Sequence, residues 1–359
     1  MKTLNHSYLS RLDHLRFLAA AMVIIYHCKG AMTHPDHINS YGDIIKIWVY
    51  SGNIGVSLFL VLSGFLFCII SEAGMRRISY GPFIKNRLLR IAPLTVFMFF
   101  IALTMNKAGE TQFDVLRLLT LQLNTGNELT GWGGEFYPIG QIWTIAVEFQ
   151  FYLIFPFLAT ILNRDGIKNI IGLIIILILV KWSLLVFNGV KVNNNLYHSI
   201  IGRLDQFLIG MILGYLYVNK FIVKTTTTSF FMIICFIAAY TYYALIKYEI
   251  MNFFVPFSFT FEAIICGLLI YGYISLPMTF NKRLDASLSY LGSLSFSMYL
   301  THLIVSKMLY GTLLSAPKSP LDNVFNAIIF VLPTTIFISA LTYNYIEKPF
   351  LKMRVKYLD

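Results

Sequence analysis

Charge is scarce in this sequence. Only 13% of its 359 residues are Asp, Glu, Lys or Arg, whereas 57% are hydrophobic and the mean hydropathy is +0.69. Soluble domains carry about 25% charged residues, so this composition excludes a soluble globular protein. Apolar runs of about 20 residues recur from end to end, which is typical of helices that cross a membrane. We therefore expect an all-α, polytopic integral membrane protein.

Cysteine is also scarce. The four cysteines lie in apolar runs and none forms a C-x-x-C pair, which argues against both a disulfide framework and a metal site. His34 and His37 are close in sequence but lack further ligands, so no metal is expected.

The apolar run Phe17 to Cys28 has no A-x-A cleavage site after it, which argues against a signal peptide. Residues 1–359 are expected to form a single transmembrane domain without an appended soluble domain.

Hydropathy predicts about ten membrane spans with uncertain ends. They cover residues 15–33, 48–71, 91–107, 142–162, 168–188, 200–219, 228–247, 254–276, 287–311 and 323–347. An even number places both termini on one side. With that side cytoplasmic, 18 of the 28 Lys and Arg residues lie in inner segments and seven in outer loops. This asymmetry follows the positive-inside rule. It also explains the net charge of +11 without a nucleic-acid partner.

One helix face carries both a cation and an imidazole. Arg16 and His27 are eleven residues apart, within ~20° of three full helical turns, so both project from the same face. They are ~16 Å apart along the axis, about half of a ~30 Å hydrocarbon core. An ionisable group at that depth indicates function, and imidazole transfers protons near neutral pH. The alternative is that Arg16 anchors the helix and His27 bonds a neighbouring carbonyl.

Three further polar side chains are predicted near the same depth. Glu148 and His302 come out ~21 Å above the inner boundary, His27 ~15 Å above it, and Arg203 at a similar level. Since each is costly in a bilayer, we expect one shared cavity open to the outside. Tyr299 belongs to the same helix as His302. Trp132, in a long outer loop, is a candidate for contacting a sugar, although an aromatic belt at the interface would also explain it.

A basic site is predicted at the inner mouth of this cavity. Arg87 and Arg90 share a helix face, and Pro93 marks the first turn of the third predicted span. Arginines at a helix N-terminus suit a phosphate group, although topology alone would also place them there. Small residues in the second span, among them Ser63, would let another helix or a thin ligand chain approach closely.

Taken in order, these motifs give the chain a resemblance to the membrane acyltransferase 3 family, bacterial enzymes that O-acylate cell-surface sugars. The likeness covers the whole chain and rests on six segments: Leu12–Arg16 with His27, Gly55–Phe65, Arg87–Pro93, Trp143–Tyr152, Ser297–His302 and Ile346–Phe350. Thr144 stands where a serine is usual. Some members carry a C-terminal extracytoplasmic esterase-like domain, which this chain is not expected to have.

The resemblance implies a cytoplasmic acyl-CoA donor, usually acetyl-CoA, and an acceptor hydroxyl on a carbohydrate across the bacterial inner membrane. It suggests that Arg87 and Arg90, with Arg16 and Ser63, bind the donor. His27 would act as general base or transient acyl carrier, and Glu148 would orient an imidazole or the acceptor. His302, Arg203, Tyr299 and Trp132 would line the acceptor side. A transporter or flippase for a glycan or small polar solute is the alternative, although no inverted repeat is visible. The acceptor sugar and the oligomeric state stay open.

Overall fold

The computed structural model describes residues 8–30, 32, 34–35, 38–105, 112–125, 140–314 and 320–358. Within these ranges the structure is helical, and extended pairing is limited to an isolated bridge between Ile78 and Leu358. In chain order the helices are α1 Ser10–His27, α2 Tyr41–Tyr50, α3 Ile54–Ile70, α4 Tyr80–Met105, α5 Gln112–Thr120, α6 Trp143–Asp165, α7 Ile167–Asn188, α8 Val192–Tyr197, α9 Ile200–Val218, α10 Thr226–Ser275, α11 Lys282–Ser293, α12 Ser295–Thr312, α13 Pro320–Asn326, α14 Leu332–Thr342 and α15 Lys348–Leu351. Short π-helical turns at Ala327–Val331 and Tyr343–Glu347 join the last three into one long helical segment.

The structure confirms the expected all-α fold class, with several helices that could cross a membrane. In the described ranges, seven helical segments are long and apolar enough to cross a membrane, or nine if two bent helix pairs count as spans. The bent pairs are α2 with α3, at 58°, and α11 with α12, at 63°. The predicted first span corresponds to α1, which carries Arg11, Asp13 and Arg16 and is not among those nine. The count of ten therefore stays a prediction.

The start of the third predicted span was wrong. Helix α4 begins at Tyr80, eleven residues before the predicted start at residue 91, and Pro93 lies in its interior. Proline is tolerated in the first turn of a helix, and here Pro82 occupies that turn. Arg87 and Arg90 consequently project from the body of α4. A phosphate site there must depend on side chains rather than on the free N–H groups of a helix end.

Helix α10 contains two of the predicted spans in one continuous helical run of 50 residues. The chain nevertheless reverses direction within this run. The evidence is that Gly272, near the end of α10, lies against Ser229 and Ile233, near its start. Its two apolar halves, Thr226–Lys247 and Phe254–Ser275, are each long enough to cross a membrane. The run thus acts as a helical hairpin.

Close packing of α3 on α9 holds the centre of the bundle. A Cβ atom built on Gly64 would lie 2.0 Å from the carbonyl oxygen of Phe207, and one on Gly210 would lie 2.1 Å from that of Val61. The two backbones can approach this closely only because neither position has a side chain. The predicted role of small residues in the second span as a packing surface is confirmed at Gly64.

Replacing Gly64 with Ala should therefore destabilise the bundle. The added methyl group forces α3 away from α9, and overpacking of this kind costs about 1–3 kcal/mol. The matched control is Gly172→Ala in α7, where a Cβ atom would meet no heavy atom within 4 Å. We expect a lower apparent melting temperature in detergent for Gly64→Ala alone. Equal melting temperatures for both variants would contradict this interpretation.

Candidate active site

Two histidines from different helices form a hydrogen-bonded pair. His27 ends α1 and His302 lies in α12; Nε2 of His302 is 2.9 Å from Nδ1 of His27, and the ring centroids are 5.0 Å apart. His302 is fully buried, whereas the His27 side chain is exposed to a cavity. The sequence predicts that both histidines lie inside the membrane at a similar depth. The structure brings them into direct contact.

The hydrogen bonds of the pair define which nitrogens carry protons when both rings are neutral. Nδ1 of His302 lies 2.7 Å from the carbonyl oxygen of Tyr299. A carbonyl can only accept, so this nitrogen donates and the opposite nitrogen of His302 has the lone pair. Nδ1 of His27 must then donate to His302. Nε2 of His27 is left with a free lone pair, as a general base requires.

The cavity beside His27, here called the histidine cavity, has a volume of about 430 Å³. Such a volume falls in the range of small-molecule sites, about 300–1,000 Å³. Its lining combines aromatic rings with polar groups, namely Tyr26, Asn53, Trp143, Tyr197, Lys247 and Tyr299. Flat rings beside hydrogen-bonding groups suit a sugar, whose two faces are apolar and whose edge carries hydroxyls.

A second, narrower cavity contains the predicted cationic site. It has a volume of about 80 Å³ and is called the arginine cavity here because Arg16, Arg87 and Arg90 line it, together with Ser63 and Glu148. All three predicted arginines and the predicted serine are thus brought together. This cavity is much smaller than the histidine cavity, so it suits a narrow segment of a ligand. Arg16 also pairs with Asp13, at 2.8 Å between Nη1 and Oδ1.

The two cavities adjoin each other. Val56 of α3 and Tyr299 of α12 belong to the lining of both. Helix α1 contributes Arg16 to one cavity and His27 to the other, as their shared helix face predicts. The same Tyr299 whose carbonyl orients His302 therefore stands where the arginine cavity meets the histidine cavity.

Glu148 does not line the cavity that holds His27. Its carboxylate accepts hydrogen bonds from Ser63 Oγ, at 3.1 Å, and from the hydroxyl of Tyr152, and it lines the arginine cavity. The expected single cavity shared by His27, Glu148, His302 and Arg203 is therefore wrong. Depth along the membrane normal restricts one coordinate only, and side chains at one depth can face different cavities.

Arg203 also lies outside the lining of both cavities. It is fully buried, with Tyr197 and Phe259 each 4.1 Å from its guanidinium carbon, measured to the ring centroids. Glu262 forms ion pairs with Arg203, at 3.5 Å, and with Lys247, at 3.2 Å. Arg203 Nε donates to the carbonyl of Tyr197, at 2.9 Å. This cation thus supports the wall of the histidine cavity without reaching into it.

Several residues of the site escaped the sequence reasoning. Tyr197 and Lys247 line the histidine cavity, yet both lie near predicted span ends and resemble ordinary interface residues. Glu262 lies inside an apolar run, and this position could have indicated that a buried cation is near. The predicted acceptor residue Trp132 lies outside the described ranges. Among the residues that are described, no three His, Cys, Asp or Glu side chains are grouped to hold a metal ion.

Comparison with known proteins identifies the family. The acyltransferase 3 family model, described as an acyltransferase domain, matches residues 9–343. The chain belongs to this family. The match covers both cavities, since their lining residues lie between Arg16 and Leu303. No solved structure matches the chain.

Three curated relatives illustrate the similarity. The chain is 28% identical over 226 residues to O-acetyltransferase OatA of Staphylococcus aureus (strain NCTC 8325 / PS 47), covering 58% of this chain and 35% of the relative. It is 25% identical over 387 residues to "Putative peptidoglycan O-acetyltransferase YrhL" of Bacillus subtilis (strain 168), covering 97% of this chain and 56% of the relative. A third, "Putative O-acetyltransferase SACOL0978" of Staphylococcus aureus (strain COL), is 24% identical over 386 residues, covering 98% and 59%. The chain thus spans less than two thirds of each relative.

Proposed function

We propose that this protein transfers an acetyl group from cytoplasmic acetyl-CoA to a hydroxyl group of a cell-surface or lipid-linked carbohydrate, across the bacterial inner membrane. The observation that carries this proposal is the meeting of two chemically different cavities at Tyr299. One is narrow and lined by arginines, which suits a phosphate-bearing donor with a thin arm. The other holds a general base among aromatic rings. Family membership and the names of the relatives support the same reaction.

The positions of the charged residues assign a side to each substrate. The segment around Arg87 and Arg90 belongs to the basic, cytoplasmic side under the positive-inside rule, and both termini lie with it in this proposal. The phosphates of acetyl-CoA would bind Arg16, Arg87 and Arg90 there. The pantetheine arm would pass Ser63 and Val56 toward Tyr299, so that the thioester reaches His27.

The reaction needs one proton acceptor and one proton donor. The acceptor hydroxyl gives its proton to Nε2 of His27 while its oxygen attacks the thioester carbonyl carbon. A carbon–oxygen bond forms, the carbon–sulfur bond breaks, and His27 returns the proton to the departing thiolate to give CoA. The hydrogen bond from His27 Nδ1 to His302 keeps the imidazole oriented throughout. Transient acylation of His27 would use the same nitrogen.

Glu148 has a different role here from the one expected. It lies in the arginine cavity beside Ser63 and Tyr152, so it would position the donor rather than an imidazole. A transporter or flippase, the alternative explanation of the buried polar groups, is less well supported, because the matched family model is described as an acyltransferase domain.

Loss of His27 should abolish transfer without unfolding the protein. In purified protein in detergent, we expect His27→Ala to reduce transfer of radioactive acetyl from acetyl-CoA to cell-envelope glycan by about 10²–10⁴-fold, the contribution of a general base. His34→Gln is the control, since this histidine contacts the carbonyl of Ala244 instead of the pair. Full activity in His27→Ala would refute the assignment.

Two substitutions of His302 distinguish a role in orienting the imidazole of His27 from a role in packing alone. His302→Gln can still accept a hydrogen bond from His27 Nδ1, whereas His302→Leu fills the site but cannot. We expect kcat to fall much further in His302→Leu than in His302→Gln, with KM for acetyl-CoA unchanged in both. Steady-state kinetics would test this. Equal kcat values for the two variants would show that His302 only fills space.

A further inference from the structure

The C-terminal segment after α15 folds back onto the first turns of α4. The side chain of Asn86 holds the backbone of Val355 by two hydrogen bonds, at 2.6 Å and 3.0 Å. The carbonyl of Tyr357 accepts from the backbone N–H of Ser79 at 2.9 Å, and Leu358 bridges to Ile78. Three of the last residues, Val355, Tyr357 and Leu358, are thus fixed beside the helix that carries Arg87 and Arg90.

This docking places a third arginine, Arg354, close enough to the pair on α4 to interact electrostatically with both, outside the lining of the arginine cavity. Arg354 immediately precedes the clamped Val355, and the ring of Tyr357 lies 5.8 Å from the guanidinium carbon of Arg87. Burial, followed by the positive charges of Arg90 and Arg87, lowers the pKa of Arg354 to about 9, so it remains charged at neutral pH. Glu347 interacts electrostatically with both Arg90 and Arg354.

Several N–H groups of this cluster have no partner. Nε and Nη2 of Arg354 and Nε of Arg87 are buried without a hydrogen-bond acceptor among the described residues. Buried donors without acceptors are costly, more so when they are charged. Arg16, Arg87, Arg90 and Arg354 face Asp13, Glu148 and Glu347, which leaves one positive charge in excess. An anion bound among the three arginines would satisfy both the donors and the charge.

We propose that Arg354, carried by the docked C-terminal segment, is a phosphate-binding residue that completes the donor site formed by Arg87 and Arg90. This inference rests on the proposed function, since it takes the anion to be a phosphate of the acyl-CoA donor. Arg354 does not stand out in the sequence, because the positive-inside rule alone would place a basic residue after the last span. The segment contributes a ligand-binding group, and its docking couples the C-terminus of the chain to donor affinity.

The test compares donors with and without phosphates. Binding of CoA and of pantetheine, which lacks phosphate, would be measured by calorimetry on purified wild type, Arg354→Gln and Lys356→Gln. Lys356 is the matched control, an exposed cation two residues further along the same segment. We expect Arg354→Gln to weaken CoA binding about tenfold or more, as loss of a charge-assisted hydrogen bond does. Pantetheine binding should not change, and Lys356→Gln should bind both as the wild type does.

The outcomes separate this inference from the proposed function. Equal CoA affinity in Arg354→Gln and wild type would overturn the role of Arg354 and leave the enzyme proposal standing. Equal weakening of CoA and pantetheine in Arg354→Gln would also overturn it, since the effect would then be structural. Wild-type protein that binds neither compound, while keeping its melting transition, would overturn the acyl-CoA proposal itself. Arg354→Lys keeps the charge and should retain part of the CoA affinity.

Discussion

The hydrogen bond from His27 to His302 is the interaction on which the site depends. It joins the end of α1 to α12, and it works because the carbonyl of Tyr299 fixes the proton on the far nitrogen of His302. The group that orients His302 is a backbone carbonyl of its own helix, so no further side chain is needed for this purpose. When both rings are neutral, the free lone pair of His27 is thereby assigned to one atom, Nε2, of a residue that lines the histidine cavity.

The protein also carries several buried charges inside its apolar helices. Arg203, Lys247 and Glu262 are 0%, 1% and 2% exposed. Lys181 and Asp205 form a second buried pair at 2.7 Å. Isolated, each would be very costly in hydrocarbon; paired and hydrogen-bonded, they are tolerable. Lys247 lines the histidine cavity, and Arg203 and Glu262 lie behind it, so these charges form a polar wall of that cavity.

The fold class could be predicted from the sequence, and most of the residues singled out there line one of the two cavities. Helical periodicity placed Arg16 and His27 on one face, and the structure has them lining adjoining cavities. Span depth also singled out His302. The same depth argument failed for Glu148 and Arg203, because it fixes height and not direction around the helix axis. The start of α4 was missed because Pro93 looked like a first-turn proline. Lys247 and Arg354 depend on contacts between segments that are far apart in sequence.

The central claim is that one chain joins a donor on one side of the membrane to an acceptor on the other. Membrane vesicles of defined orientation, loaded with glycan and given radioactive acetyl-CoA outside, test it most directly. Glycan inside the vesicles should be labelled when the cytoplasmic face is outward, and not when it is inward. Permeabilisation should then restore labelling. Equal labelling in both orientations, or labelling only of glycan added outside together with the donor, would contradict it.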